Sequence, residues 1–262
     1  MDFESKKILI TGGSSGIGRE MVKLLYQKGA RDIAIVGRSM EKIDGFLEEL
    51  PDARLHFLKG DVSNLTDIKN IYIAVKEIWG SLDILINNAG VVSAGPLEEI
   101  SDEDIIAQQN INITGVILLT KYLLSLLKLT DDAALIFVSS GLGLIGMPFY
   151  APYAASKAAV RQFAESLRRE LKAFSIHVMT VYPVATDTPM MQTASTKSMD
   201  SPESVAVAAI QGLIDGEIDV KMGGEEILQN QQLNYENPLL FDEKVETMFE
   251  AMQVRASGHR SM

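Results

Sequence analysis

Tyr153-Ala154-Ala155-Ser156-Lys157 is the segment of this chain whose residue types could move a proton. On a helix, positions four apart share one face, so the Tyr153 hydroxyl and the Lys157 ammonium can converge on one small volume. A free tyrosine titrates near pH ~10 and is a weak base at neutrality. A cation within several ångströms favours the phenolate and lowers that value, which lets a tyrosine exchange protons with an alcohol or a carbonyl. Ser140, thirteen residues upstream, is of the type that holds such an oxygen. The pair alone says little: seven tyrosines and fifteen lysines give about 0.4 such pairs by chance at this spacing. Tyr72 and Lys76 form a second pair, but Lys59 stands thirteen residues before Tyr72 where a serine would be needed. Tyr72 is therefore read as a packed helix residue.

A second constellation lies near the start of the chain. Thr11-Gly12-Gly13-Ser14-Ser15-Gly16-Ile17-Gly18 follows an apolar run and precedes a helical pattern. Glycines permit a tight turn and let the backbone approach a pyrophosphate, whose charge sits at a helix N-terminus. The spacing is T-G-x-x-x-G-x-G, with a longer crossover between the first two glycines than in G-x-G-x-x-G. The end of the second strand in such folds reads the adenine ribose, an acid bonding the 2′-hydroxyl and a base accepting a 2′-phosphate. Here it reads Ile35-Val36-Gly37-Arg38, so NADP(H) is favoured, with NAD(H) possible and with Arg38 stacking on adenine or simply solvated as the alternative. Asp61-Val62, after the third apolar run, is placed to meet the adenine.

These segments must be positioned by a larger scaffold, and the chain supplies one. Continuous apolar runs at 8–10, 33–36, 55–58, 84–86, 134–138 and 178–181 read as strands covered on both faces. Helical periodicity fills 18–28, 65–78, 102–128 and 154–173 between them. That alternation predicts a doubly wound parallel α/β sheet in three layers, a single Rossmann-type domain over residues 1–262. About 1–190 would form the cofactor-binding and catalytic core, and about 191–262 a substrate lid, a final strand and a C-terminal helix at 242–254 with a polar tail. His259 is expected in that frayed tail.

Composition excludes several classes. The net charge of −11 without a basic cluster argues against nucleic acid. No cysteine is present, and His56, His177 and His259 show no metal spacing, so no metal site is expected. The most apolar stretch, 116–129, is interrupted by Lys121, Ser125 and Lys128, so no membrane span is expected. Met1-Asp2-Phe3-Glu4 carries no basic segment, which predicts no secretory signal and a cytoplasmic protein.

From about Lys6 to Pro189 the chain resembles the short-chain dehydrogenase/reductase family. Asn87-Asn88-Ala89-Gly90 matches a family segment that stabilises the sheet and lines the cofactor, here through Asn88, Ala89 and Gly90. The resemblance implies a catalytic set of Asn112, Ser140, Tyr153 and Lys157. Asn112 would support a water-mediated proton relay by bending its helix, and Lys157 would also bind the nicotinamide ribose. Cofactor contacts would come from Gly12, Ser14, Ser15, Gly16, Ile17, Gly18, Arg38, Asp61 and Val62, with Tyr153, Lys157, Pro183 and Thr188. One departure is Pro183-Val184, where the family commonly has Pro-Gly; a β-branched valine resists positive φ. The implied activity is hydride transfer between NADP(H) and a carbonyl or secondary alcohol. Loops 91–97, 141–150 and 190–199 would surround the substrate, and Leu142, Leu144, Ile145, Met147, Phe149, Met190 and Met191 suggest a small apolar or amphipathic one or simply a packed lid. A nucleotide-sensing scaffold, or an epimerase or dehydratase on the same fold, are the rival readings. Apolar excess on 104–128 and 154–173 (Ile106, Ile113, Val116, Leu119, Leu123, Leu127; Val160, Phe163, Leu167, Leu171) predicts a homodimer or homotetramer, as the resemblance also implies.

Overall fold

The computed structural model describes residues 2–39, 44–194, 196 and 198–261. Seven parallel strands form one sheet: β1 (Lys7–Thr11), β2 (Asp32–Gly37), β3 (Arg54–Lys59), β4 (Ile84–Asn87), β5 (Ala133–Val138), β6 (Ile176–Tyr182) and β7 (Asp219–Lys221). Their order is β3-β2-β1-β4-β5-β6-β7. The order reverses between β1 and β4, which opens a crevice at the carboxyl ends of the strands.

Alternate side chains of each strand feed two separate cores. Ile8 and Ile10 of β1 face one layer, with Met21, Val22 and Leu25 of α1 (Gly16–Gln27), Phe46 of α2 (Asp44–Glu49), and Val205, Ala209 and Leu213 of α7 (Pro202–Asp215). Leu9, between them, faces the other layer, with Ile68 and Val75 of α3 (Leu65–Trp79), Leu119 and Leu123 of α5 (Gly115–Leu127), and Val160 and Leu167 of α6 (Ala151–Glu170). Burial on both faces explains why the strands read as unbroken apolar runs. Each fully buried aliphatic side chain contributes about 1.5–3 kcal/mol relative to exposure.

The expected helix at 102–128 is interrupted. It runs as α4 (Asp102–Gln109), one π-helical turn (Asn110–Thr114) and α5. Within the 26-residue run Asp102–Leu127, long enough for a membrane span, an 18-residue window reaches a mean hydropathy of 1.4. Its apolar residues Val116, Leu119, Leu123 and Leu127 are nonetheless buried inside the domain, as are Val160, Leu167 and Leu171 of the second segment. Of the apolar surface expected to be left over, Ile106 is exposed while Ile113 and Phe163 are half-buried, so the sheet and neighbouring helices absorb most of it.

The C-terminal third holds more structure than its sequence pattern announces. Three helices follow β7: α8 (Gly224–Glu236), α9 (Pro238–Glu246) and α10 (Phe249–Ala256), where the pattern predicts one helix across 242–254. Asn237 ends that ambiguity, accepting the Leu240 amide proton as the cap of α9. The tail beyond α10 is not frayed. His259 is 2% exposed. Arg260 grips Asp104 with two bonds, Nε–Oδ2 at 2.6 Å and Nη2–Oδ1 at 2.8 Å. Ser93 adds a hydroxyl bond to the same carboxylate, and the Ser261 amide donates to Val92 O.

The Arg260 guanidinium, helped by the Ser93 hydroxyl, holds the Asp104 carboxyl below the usual carboxylate range against the opposing effect of burial. A lowered carboxylate pKa contributes stability that is present above the unfolded value and lost as pH falls toward the folded one. Arg260→Ala should therefore lower the thermal midpoint at neutral pH. The gap between variant and parent should close on acidification below pH ~4 in a calorimetric series.

Candidate active site

A cavity of about 800 Å³ crosses the carboxyl edge of the sheet. At one end it is walled by the glycine loop after β1. Gly12 takes φ 66°, and a Cβ there would come within 3.1 Å of Ala89 Cα, so only glycine lets the loop lie against the strand β4 exit. Asn88 fastens that approach: its Nδ2 donates to Thr11 O at 3.0 Å and Gly12 O at 3.2 Å. Thr11 Oγ1 in turn accepts the amide protons of Asn88 and Ala89. Ser15 caps α1 without a side-chain bond, and the first turn carries no acid, which leaves its N–H groups and positive dipole for an anion.

The residues expected around a nucleotide are mostly where the sequence puts them. Gly12, Ser14, Ser15, Gly16, Ile17, Arg38, Asp61, Val62, Asn88, Ala89, Gly90, Pro183 and Thr188 all line the cavity. Gly18 does not; it is buried where α1 crosses Gly12, whose carbonyl oxygen would be 2.5 Å from a Cβ. Arg38 is exposed at the end of β2. Among the described residues Phe149, at φ 69°, is the one non-glycine with positive φ, so Val184 takes an ordinary conformation and the turn after β6 does not require the family's glycine. This cavity fits a dinucleotide in size, and Gly90 shows the closeness of fit. A Cβ at Gly90 would stand 3.3 Å from both Asn112 Oδ1 and Lys157 Nζ, filling the space between the loop and these two side chains.

Ser140, Tyr153 and Lys157 meet in the middle of the same cavity. α6 brings Tyr153 and Lys157 onto one face, and two bonds seat that face on β5: Ser139 Oγ donates to Lys157 O at 2.8 Å, and Lys157 Nζ donates to Val138 O at 2.9 Å. Asn112 lies just behind, 1% exposed and outside the cavity wall. The π-helical turn aims its amide at the Val91 backbone, which it grips at both N and O (2.9 Å each), and at Ser156 Oγ, 3.0 Å away. The rival pair is elsewhere: Tyr72 packs against Tyr122 between α3 and α5.

The electrostatics differ from the expected picture. Burial pushes the Tyr153 phenol up to about 12, against the opposing pull of the neighbouring Ser140 hydroxyl and the Arg255 guanidinium. Burial also lowers Lys157 to about 8. The ammonium, 5.8 Å from the Tyr153 ring centre, does not lower the tyrosine in this state. In the protein by itself Tyr153 keeps its proton at neutral pH, and Lys157 still carries charge.

The other side of the cavity is closed by loops and by the C-terminal helices. Val91, Val92, Leu142, Ile145, Met147, Met190 and Met191 line it as expected, whereas Leu144 and Phe149 pack behind the wall. Ser195 and Lys197 of the expected 190–199 loop lie outside the described residues. Ile227 of α8, Phe241 of α9, and Met248 between α9 and α10 complete the apolar wall. Met252 and Ala256 of α10 pack in one cluster with Tyr150 and Tyr153. His259 joins them: Nε2 faces Met190 O at 3.1 Å and Nδ1 faces the Tyr150 hydroxyl at 2.9 Å. A carbonyl can only accept, so Nε2 carries the proton, and burial pushes the ring toward neutrality; Nδ1 then accepts from Tyr150. The only sequence signal for this group was Tyr150, one helical turn before Tyr153.

The sequence profile described as short chain dehydrogenase matches residues 6–199. An uncharacterized oxidoreductase of Thermotoga maritima is 35% identical over 207 residues, covering 78% of this chain and 81% of that protein. A 3-ketodihydrosphingosine reductase of Dictyostelium discoideum is 30% identical over 249 residues, covering 83% and 75%. A Burkholderia cenocepacia short chain dehydrogenase solved with NADP superposes with a TM-score of 0.82 at 24% identity, covering 94% of this chain and 99% of its own. One from Burkholderia phymatum solved with NAD gives 0.83 at 21% identity, covering 92% and 96%. With a profile match spanning the glycine loop, Asn88, Ser140, Tyr153 and Lys157, this chain belongs to the short-chain dehydrogenase/reductase family and is an oxidoreductase that uses a nicotinamide cofactor.

Proposed function

We propose that this protein reduces the carbonyl of a small, largely apolar substrate with NADPH. The observation that carries the reading is the buried Tyr153, a phenol that keeps its proton at neutral pH and stands in one cavity with the glycine loop. The glycine loop, the uncapped N-terminus of α1 and Arg38 would hold the cofactor phosphates. Bound there, the reduced nicotinamide supplies the hydride for the carbonyl carbon. Ser140 holds the substrate oxygen, and Tyr153 gives that oxygen its proton as the C–O bond becomes an alcohol. The phenolate left behind gains from the Lys157 ammonium, whose pKa of about 8 keeps it charged at neutral pH. Asn112 donates to Val91 O and Ser156 Oγ, and Ser156 Oγ donates to Tyr153 O, which ties the first turn of α6 to the segment after β4. Substrate apolarity follows from Ile145, Met147, Phe241 and Met248 in the wall.

Tyr153→Phe keeps the ring and deletes the hydroxyl. NADPH affinity should survive and turnover should fall by ~10²–10⁴. Tyr72→Phe should leave turnover unchanged, and equal losses in steady-state assays would reject Tyr153 as the proton donor.

Arg38 is the basis for preferring NADPH. Arg38→Ala should weaken NADPH binding far more than NADH binding in a fluorescence titration, because only NADPH offers a phosphate to the guanidinium. A similar loss for both cofactors would remove that basis.

The same reading makes the protein a homodimer or homotetramer, paired through α4, α5 and α6. Ile106 and Ile117 stay exposed on that side, at 59% and 36%. Light scattering should return a multiple of 28.7 kDa across a dilution series. The monomer mass at every concentration would refute it.

A further inference from the structure

One cation in the cavity touches the proton chemistry only through its field on Tyr153. Arg255, in the last turn of α10, lines the cavity with Tyr150 and Tyr153. Its guanidinium carbon is 5.5 Å from the Tyr150 ring centre, and its field reaches both phenols. Its Nε is buried, and among the described residues that atom has no hydrogen-bond partner. Among the described residues no carboxylate forms an ion pair with it either.

A guanidinium cannot shed its charge, and on this half-buried side chain the Nε has lost water without a replacement. Among the described residues, no carboxylate in the cavity wall supplies that replacement: the single one lining it, Asp61, follows β3 at the nucleotide end and is occupied by Ser63. The other cations are engaged or distant. Lys157 bonds Val138 O, Arg38 stands beyond β2, and His259 is neutral between Tyr150 and Met190. The Arg255 charge reaches Tyr150, Tyr153 and His259, and Met147, Met190 and Met248 pack against the two tyrosines.

We infer that Arg255 recognises an anionic group on the substrate, which is then an oxo compound with an apolar middle and a carboxylate or phosphate at the Arg255 end. The planar guanidinium matches either anion with two parallel bonds. The inference rests on the carbonyl reduction proposed above and adds a specificity-determining residue to it.

The test compares medium-chain oxo carboxylates, the corresponding oxoalkyl phosphates and the methyl esters of the acids, each with NADPH and the full chain. One charged series should exceed the esters in kcat/KM by ~10-fold or more, the usual worth of a charge-assisted bond. Whichever series wins identifies the anion. Arg255→Met, which keeps an unbranched apolar stem over Tyr150, should bring the ratio of charged to ester substrate close to one through KM. Arg255→Lys should restore part of it. Equal use of acids, phosphates and esters by the parent protein, or a preference that survives Arg255→Met, overturns the assignment. A second measurement needs no turnover: calorimetric titration of the NADPH-loaded protein with octanoate and octyl phosphate. Binding of one by the parent and its loss in Arg255→Met supports the anion site even if no carbonyl probe consumes NADPH, a result that would sink the reduction alone. Absence of binding by either anion overturns the site, whatever the ketones do.

Discussion

Lys157 is 3% exposed, and in place of water its ammonium has one protein carbonyl, Val138 O at 2.9 Å. That exchange is unfavourable unless the partner is held still, because a buried cation has no solvent to relax around it. Much of the surrounding structure does the holding. Ser139 bonds the carbonyl of Lys157 itself, so strand β5 and helix α6 are joined twice within one residue pair of each other. The sheet burial on both faces of β5 then fixes Val138 in turn. Helix α6 cannot slide without stranding the charge, and with it stands Tyr153.

The same burial governs the tyrosine. Spacing on a helix says that a cation is near, and from nearness alone the phenol should ionise more easily. Removal from water acts in the other direction and is the larger effect here, so Tyr153 remains protonated. Distance is legible in a sequence; the local dielectric is not, since it depends on α10 and the loops that fold over the site from far along the chain.

That contrast describes the whole molecule. The strands, the glycine loop and the Tyr153–Lys157 face were readable because each is set by neighbours a few residues away, through alternation, turn geometry or helical spacing. Asn112 was reachable only by resemblance, because a π-helical turn leaves no periodic mark. Arg255 and His259 were out of reach for another reason. Their partners, Tyr150 and Met190, lie more than sixty residues away, and α10, the short helix that carries Arg255 and leads to His259, has a weak apolar stripe. His259 looked like a residue of a polar tail because nothing local pays it any attention, and its burial is decided entirely by tertiary contact.

Placing one wall of the cavity in α8, α9 and α10 also gives the protein a history in time. The sheet is complete at Lys221, with the glycine loop, Ser140, Tyr153 and Lys157 already on it, while the segment that seals Tyr150 comes out of the ribosome later. A growing chain therefore passes through a stage in which the nucleotide half of the crevice exists and the substrate half is open to water. Cofactor arriving at that stage would find its binding loop finished, and would brace the sheet before the last helices settle against it.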